Sequence, residues 1–454
     1  MGIKDMRLAI GQFITAEWES WLGLIKLSEA KYAVFGDEIL LFADEEIWEN
    51  VKRVAEQKGL VLQQYPHPVE EGNLHLVVQV GNDFLDTYED THVILNKGRY
   101  LAVDINNKQA RLVSATRRCC FLISPLKRSR VVFAHLPPAP PSDPTPWISD
   151  LVDSISRDNL MRDIEHLVSF RTRFSTSSNY AEAATWAMNR LRDLGYDDAK
   201  MVPVRVNGGS SFNVVASKPG KLSTGPLIIV TAHLDSINIP GGPTADAPGA
   251  DDNGSGCAGL LEIARVLSRH DYVHELRFAL FGGEEQDLFG SYKYVEQLSD
   301  DDYARLCKGA AINMDMIATV NNTPRPTVLL ETAPRWAPVI RRLEEAASTY
   351  AQLEVQLDFK PYSMSDHYPF TKDELPGVLT IEGASRANKN IHKIDDDISH
   401  INSDLMIRIL RMNIAFVAES LGIGVVGLLS HVLFDSRRSR VCPFKRSDPR
   451  FLGN

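Results

Sequence analysis

The chain has 454 residues, a net charge of −10 and ordinary apolar and charged fractions, which indicates a globular protein with a sizeable core. The acidic balance argues against a nucleic-acid-binding protein, because phosphate contacts require a basic face. The five Cys residues are too few and too scattered for a disulfide framework.

The first residues, "MGIKDMRLAIGQFITAEW", do not form a typical signal peptide, because Gly11 and Gln12 break the apolar run and acidic residues flank it. We therefore expect a cytoplasmic location, with secretion as the alternative if the start of the chain has been processed. No apolar segment reaches the roughly 20 residues that cross a bilayer, so we expect no transmembrane segment.

Residues 1–135 predict a small α+β domain. Ile39 to Phe42 form a predicted strand, and Asp44 is a predicted N-cap for an amphipathic helix that ends near Gly59. The segments "LHLVVQV" and "RYLAVDI" are predicted strands. Two roles stay open, a pro-region and an interaction module, and we expect the second, with the domain acting separately.

A Pro-rich linker is predicted at residues 136–147, "LPPAPPSDPTPW", because proline fixes φ and excludes both helix and central strand. It separates the first domain from a larger domain at 148–425. Residues 426–454 form a basic C-terminal tail. The apolar segment from Leu421 to Phe434 and this tail have two interpretations, a packed terminal segment and a surface that rests on an anionic membrane.

Helices and strands alternate in the larger domain. Its predicted strands are "PLIIVTAHLD", "HELRFALFGGEE", "GAAINMDMI" and "PGVLTIEG", and its clearest helices are "NYAEAATWAMNRLRDLGY", "GCAGLLEIARVLSRH" and "SDLMIRILRMNIAFVAESLG". This alternation predicts the α/β class, with a mostly parallel sheet and helices on both faces. In such sheets ligands bind beyond the carboxyl ends of the strands.

Acidic residues and His follow these predicted strands where each one ends. His233 and Asp235 follow the first, Glu284 and Glu285 the second, and Asp315 the third. Two further segments carry the same residue types: "GADDNGSG" contains Asp251 and Asp252, and "YSMSDHYPF" contains Asp366 and His367. Glu382 is the only candidate after the fourth strand.

So many carboxylates buried together are costly unless cations neutralise them, and this predicts a metal site. Imidazole and carboxylate ligands without thiolate suit Zn²⁺, and also Co²⁺ or Mn²⁺. Each segment alone is weak evidence, since a solvated loop has the same composition. The placement of all of them at one sheet edge is what favours the metal site.

The segments "AHLDS", "PGADDNGSG", "GGEEQDLFGS", "NMDM" and "MSDHYPF" occur in the order found in the co-catalytic di-zinc aminopeptidases. A weaker sixth segment is "IHKIDDDISHIN". The chain therefore resembles this family, which is typified by secreted bacterial leucine aminopeptidases and has glutamate carboxypeptidases and glutaminyl cyclases as wider relatives. The resemblance covers roughly residues 154–422.

The resemblance implies a role for each matching residue. Asp252 would bridge two zinc ions, with Asp251 as its neighbour. His233 and Asp315 would complete the coordination of one ion, and Glu285 and His367 would complete that of the other. Glu284 would be the general base, and Asp235 would orient the imidazole of His233. The implied activity is removal of N-terminal residues from peptides that have a free N-terminus.

Two alternatives remain at this point. A carboxypeptidase or dipeptidase of the same family would need a basic residue for the terminal carboxylate, and Arg386 and Lys389 are the nearest candidates. A non-catalytic binding protein with the same fold would be expected to lack ligands, and none is missing. Tyr362, Tyr368 and Phe370 lie near His367 and are either core residues or a pocket wall, and a pocket wall would favour hydrophobic N-terminal residues. The sequence does not determine the oligomeric state.

Overall fold

The computed structural model describes residues 5–13, 17–115, 120–126, 129–135, 137–320, 325–384 and 388–423. The segment from Leu421 to Phe434 lies mostly outside these ranges, and so does the basic tail at 426–454.

The strands are, in chain order, β1 (Asp5–Gln12), β2 (Lys31–Gly36), β3 (Glu38–Ala43), β4 (Gln63–Gln64), β5 (Val69–Glu70), β6 (Leu74–Gln79), β7 (His92–Lys97), β8 (Tyr100–Asp104), β9 (Phe121–Pro125), β10 (Arg130–His135), β11 (Lys200–Val206), β12 (Gly209–Lys218), β13 (Leu227–His233), β14 (Glu275–Phe281), β15 (Ala310–Met314), β16 (Thr327–Glu331), β17 (Glu354–Asp358) and β18 (Gly377–Glu382). The helices are α1 (Trp18–Ser28), α2 (Glu45–Gln57), α3 (Asp83–Thr87), α4 (Asn107–Ala115), α5 (Pro146–Asp153), α6 (Arg157–Ser169), α7 (Ser178–Asp193), α8 (Gly256–Leu267), α9 (Phe289–Glu296), α10 (Asp300–Leu306), α11 (Ala337–Ala346), α12 (His367–Lys372) and α13 (Ser403–Leu421). Within the described ranges, none of these helices combines the length and the apolar character that crossing a bilayer requires.

The centre of the larger sheet is parallel. The strands β14, β13, β15 and β18 lie side by side in that order, and each pairs with its neighbours in parallel. Antiparallel strands β12 and β11 extend one side, and β16 and β17 extend the other. The predicted α/β class with a mostly parallel central sheet is confirmed.

Helices cover both faces of this centre because its strands are apolar on both sides. Alternate residues of β13 belong to different clusters: Ile228 and Val230 pack with α6, α7, α8, α11 and α13, whereas Leu227 and Ile229 pack with α9, α10 and α12. All seven residues of β13 are buried. Such a strand has no solvated face, which explains why its sequence is a continuous apolar run.

Residues 5–135 contribute to two sheets. A four-stranded antiparallel sheet has the order β7, β8, β6, β9, and α4 packs against β9. The remaining strands join the large sheet, since β10 pairs with β17, with Ala134 opposite Leu357, and β2, β3 and β1 follow. Asp44 caps α2 by accepting a hydrogen bond from the Ile47 amide at 3.1 Å.

The large sheet therefore runs across the predicted division between residues 1–135 and 148–425. Residues 137–145 of the predicted linker adopt neither helix nor strand. The amide of Ser142 donates to Thr349 Oγ1 at 3.1 Å, so the linker is held against the larger domain. The domain boundaries stay a prediction, but separate action of the first domain is hard to reconcile with a shared sheet.

Candidate metal centre

Three neighbouring strands bring the predicted residues to one sheet edge. β13 lies between β14 and β15, all three are parallel, and His233 pairs with Phe281 at the carboxyl end. His233 is the last residue of β13, and Asp315 follows β15 directly. Glu284 and Glu285 follow β14 after Gly283, whose φ of +81° favours glycine at this turn.

The loop before α8 carries Asp252 into the same edge. Gly256 begins α8, and a Cβ there would lie 2.3 Å from Asn253 Oδ1 and 2.5 Å from the Met314 carbonyl oxygen. Only glycine therefore allows the loop to approach β15 this closely. Buried Arg173 holds the other side of the loop by donating to the carbonyl oxygens of Leu234 and Gly249, both at 2.8 Å.

The first group of possible ligands consists of His233, Asp252 and Asp315. His233 Nε2 lies 3.1 Å from Asp252 Oδ1 and 3.3 Å from Asp315 Oδ1. All three residues are buried. Ser365 supports the group by donating to Asp315 Oδ2 at 2.5 Å.

The second group consists of Asp252, Glu285 and His392. His392 Nε2 lies 3.1 Å from Asp252 Oδ2 and 3.0 Å from Glu285 Oε2. Asp252 thus presents one carboxylate oxygen to each group, which is the geometry of a bridging ligand. We call these two groups together with Glu284 the metal-site cluster.

His367 lies in neither group, so the structure does not bring it to the position that the sequence-based assignment gave it. Its Nε2 lies 3.0 Å from Glu331 Oε1, and both side chains are fully buried. The physical reason is that His367 opens α12 and turns toward β16, while the neighbouring Ser365 is the residue of this segment that contacts the first group. His392, from the weaker sixth segment, occupies the position that we assigned to His367.

Glu331 belongs to a second set of buried charged residues. Arg99 Nη2 lies 3.0 Å from Glu331 Oε2, and the Tyr100 hydroxyl donates to Asp358 Oδ2 at 2.9 Å. We call Arg99, Tyr100, Glu331, Asp358 and His367 the Arg99 cluster. It joins Arg99 and β8 of the N-terminal region to β16, β17 and α12, and His367 lies within this contact.

Two buried aspartates hold the backbone that carries the carboxylates. Asp235 accepts from the amides of Glu284 and Glu285 at 3.3 and 3.2 Å. Asp396 accepts from the amides of Asp251 and Asp252, both at 3.0 Å. The sequence predicted Asp235 as a partner of His233, whose Nδ1 lies 3.1 Å from the Asp235 carbonyl oxygen and 3.7 Å from Oδ1.

Asp251 and Glu382 point away from both groups. The Asp251 carboxylate accepts from the Ala318 amide at 3.0 Å and from Asn388 Nδ2 at 2.8 Å. Glu382 accepts from the Thr319 amide at 2.7 Å. The structure therefore separates Asp252, which faces the groups, from its neighbour Asp251, which fastens the loop to the next segment.

The metal-site cluster lines a cavity of about 20 Å³ together with Val80, Cys120, Asp287, Leu288, Ser363 and Met364. That volume holds roughly one water molecule. Burial raises the pKa of Glu284 well above its ordinary value, opposed by His233 and reinforced by Asp366 and Asp315. Burial likewise raises the pKa of Glu285 to about 7.

The types and spacing of these residues fit metal binding. Ligand atoms about 2.0–2.1 Å from a tetrahedral zinc ion are roughly 3.3 Å apart, close to the 3.0–3.3 Å between imidazole nitrogen and carboxylate oxygen in both groups. Glu285 Oε1 is buried, and none of the residues that the structure describes forms a hydrogen bond with it. A buried carboxylate oxygen without a donor is expected where a cation completes its environment.

Three other sequence candidates do not enter the site. Tyr362 and Phe370 are buried in two separate apolar clusters, so of the two interpretations the structure supports core packing for them. Lys389 is exposed, and Arg386 lies outside the described residues. The residues that sequence reasoning missed are His392, Asp396, Ser365 and Arg173; the first two stand in "IHKIDDD", where a His beside three acidic residues was the available signal.

Known proteins resemble the chain in sequence and in fold. Residues 213–417 match the model of peptidase family M28. A probable leucine aminopeptidase of Arthroderma otae is 30% identical over 284 residues, covering 60% of this chain and 74% of that protein. Leucine aminopeptidase 1 of Coccidioides posadasii is 28% identical over 293 residues, covering 60% and 73%.

Two solved structures share the fold. The LapA aminopeptidase of Legionella pneumophila superposes with a TM-score of 0.55 at 19% identity, covering 76% of this chain and 98% of that one. A zinc aminopeptidase from Bacillus subtilis superposes with a TM-score of 0.51 at 18% identity, covering 60% and 96%. The match to the family model and the sequence match to the Arthroderma otae relative together show that the chain belongs to peptidase family M28.

Proposed function

We propose that this protein is a metal-dependent aminopeptidase that removes N-terminal residues from peptides. The observation that carries the proposal is Asp252, whose two carboxylate oxygens face two His-containing groups on one cavity that Glu284 also lines. The leucine aminopeptidases among the relatives support the same activity.

Two divalent ions, zinc by the chemistry of the ligands, fit the two groups. His233 and Asp315 would hold one ion, Glu285 and His392 the other, and Asp252 both. When bound, such a pair supplies a Lewis acid and a water molecule that ionises near neutral pH.

Glu284 is placed to transfer the proton of the attacking water. It lines the cavity but belongs to neither ligand group, so its carboxylate is available to the attacking water. It accepts the proton of that water and returns it to the departing amine. Asp235 keeps Glu284 in place by binding the amides of both glutamates.

The lining of the cavity favours an amino terminus over a carboxyl terminus. Its carboxylates are Asp252, Glu284, Glu285, Asp287 and Asp315, and among the described residues neither Lys nor Arg lines it. A protonated α-amine is attracted to such a surface, whereas a terminal carboxylate has no cationic side chain to bind. The apolar lining residues Val80, Leu288 and Met364 suit a hydrophobic first residue.

A peptide requires more room than the cavity has. About 20 Å³ accommodates a water molecule and not an amino-acid side chain. Val80, Cys120 and Met364 form part of the wall that a substrate would meet at this cavity.

Turnover of chromogenic leucyl, phenylalanyl, lysyl and glutamyl derivatives, each with an N-acetylated control, tests the proposal. We expect hydrolysis of the leucyl or phenylalanyl compound, none of the acetylated forms, and loss of activity with chelator that zinc restores. Hydrolysis of N-acetylated dipeptides with a free carboxyl terminus would indicate a carboxypeptidase. Fewer than one ion per chain after zinc addition would contradict the metal requirement.

A further inference from the structure

His392 has an oxygen partner on each side of its ring. Nε2 faces Asp252 and Glu285, as a metal ligand should, and Nδ1 lies 2.8 Å from Asp83 Oδ2. The side chains of His392 and Asp83 are 4% and 12% exposed. Donation from Nδ1–H to this carboxylate leaves the lone pair on Nε2, which is the tautomer that binds a metal.

Asp83 comes from the N-terminal region, 309 residues before His392. It begins α3, whose next residue, Phe84, is fully buried and donates its amide to Gln79 Oε1 at 3.1 Å. The Gln79 amide group in turn donates to the Gly98 carbonyl oxygen at 2.8 Å. The position of Asp83 is thus set by the small antiparallel sheet.

The backbone that follows β6 also packs closely against the segment that carries His392. Gly81 has φ +54°, and a Cβ there would lie 2.5 Å from Ile391 Cγ1 and 3.0 Å from the Asn388 carbonyl oxygen. An ion pair between Asp86 and Lys393 lies next to the Asp83–His392 contact. Val80 and Cys120 of the same region line the cavity.

From this geometry we propose that Asp83 is a positioning residue of the metal centre, and that the described residues 74–115 and 120–126 of the N-terminal region belong to the active site. Asp83 holds the ring and tautomer of His392 and so strengthens binding of one of the two ions. His233 does not depend on this region, because its Nδ1 faces the Asp235 carbonyl oxygen. The inference rests on the proposed function, since it assumes that the two groups bind metal.

Zinc titration of the ion-free full chain against a chromophoric chelator tests the proposal without substrate. In Asp83→Ala, we expect affinity for one of two ions to fall about 10- to 100-fold, the usual effect of removing such a partner. Asp83→Asn should lie between Ala and the unaltered chain, because its amide oxygen still accepts from Nδ1–H. Asp86→Ala, which removes the neighbouring ion pair, is the matched control and should leave both affinities unchanged.

Thermal unfolding of the ion-free variants separates positioning from folding. Asp83→Ala and Asp86→Ala should unfold at similar temperatures, whereas only the first loses zinc affinity. Two ions bound with unchanged affinity in Asp83→Ala would overturn the inference and leave the proposed function standing. Unchanged zinc affinity together with increased turnover in Asp83→Ala would show that the N-terminal region inhibits the enzyme. If the unaltered chain binds no zinc, both the inference and the proposed function fail.

Discussion

The metal-site cluster and the Arg99 cluster are both buried, and both place a His against a carboxylate. The Nε2-to-oxygen distance is 3.0 Å for His392 and Glu285 and also 3.0 Å for His367 and Glu331. What differs is the permanent cation. Arg99 neutralises Glu331 in one cluster, whereas the described residues of the other contain no Lys or Arg. A surplus of buried carboxylate, more than a short contact, therefore indicates a metal site.

The pKa shifts of the buried glutamates follow the same division. Burial raises the pKa of Glu331, but Arg99 and His367 outweigh it, so the net shift is downward. In the metal-site cluster burial raises the pKa of Glu284 and Glu285, and the imidazoles do not reverse it. Neighbouring cations thus compensate the Glu331 carboxylate, whereas Glu284 and Glu285 are not compensated. Two aspartates depart from this pattern: burial raises the pKa of Asp358 in the Arg99 cluster, and His233 and His392 outweigh burial and lower the pKa of Asp252 in the metal-site cluster.

The largest effect is expected for Glu284→Gln, which keeps the shape and removes the proton acceptor. Turnover should fall roughly 100- to 10,000-fold, the range of general-base catalysis, while zinc content measured by elemental analysis stays at two ions per chain. Glu285→Gln is the matched control and should lose zinc. The reverse outcome, with Glu284→Gln losing zinc and Glu285→Gln keeping it, would exchange the two roles.

A substitution in the Arg99 cluster should lower the stability of the fold, in contrast to the loss of turnover expected for Glu284→Gln. Arg99→Met leaves Glu331 buried without its cation, which is expected to lower the free energy of unfolding by about 3–5 kcal/mol. The double variant with Glu331→Gln should recover much of this loss, because the unpaired charge is gone. Urea unfolding measures both, and a loss of bound zinc in folded Arg99→Met would show that the two clusters are not independent.

The two histidines provide the most direct contrast. His392→Gln should reduce zinc from two ions to one per chain, because it removes a ligand. His367→Gln should keep both ions and lower the free energy of unfolding by about 1–3 kcal/mol, since it disturbs a buried polar contact. Elemental analysis and urea unfolding of both variants decide the assignment, and loss of an ion in His367→Gln would restore the sequence-based ligand.

The smallest effect concerns pH. Burial and the Glu331 charge raise the pKa of Asp358 to about 7, against about 3.9 for an unfolded Asp. The folded state then binds more protons between pH 4 and 7, so this group makes stability decrease as pH rises through that window. Asp358→Asn still accepts from Tyr100 and removes the titration. The stability difference between pH 5 and 8 should shrink, and an unchanged difference would contradict this.

The sequence by itself determined which residues meet at the carboxyl edge of the sheet. A strand buried on both faces must be apolar throughout, so charged residues directly after it mark where the strand ends. Parallel neighbours end at the same edge, and this rule is sufficient to place His233, Glu284, Glu285 and Asp315 together. The polar loop at Asp252 follows the same rule, because it leads from β13 into α8.

Only the tertiary structure decided whether His367 or His392 joins the residues at this sheet edge. His367 is the first residue of α12 and His392 lies in a segment without helix or strand, and no repeating sequence pattern orients either ring toward Asp252. His367 meets Glu331 because β16 and β17 extend the sheet, and His392 reaches Asp252 because Asp396 fastens its loop. Asp83 arrives from the N-terminal region through pairing of β10 with β17, a contact between strands more than 200 residues apart. Local pattern carries no information about such pairing, since it depends on which edges meet when the chain folds.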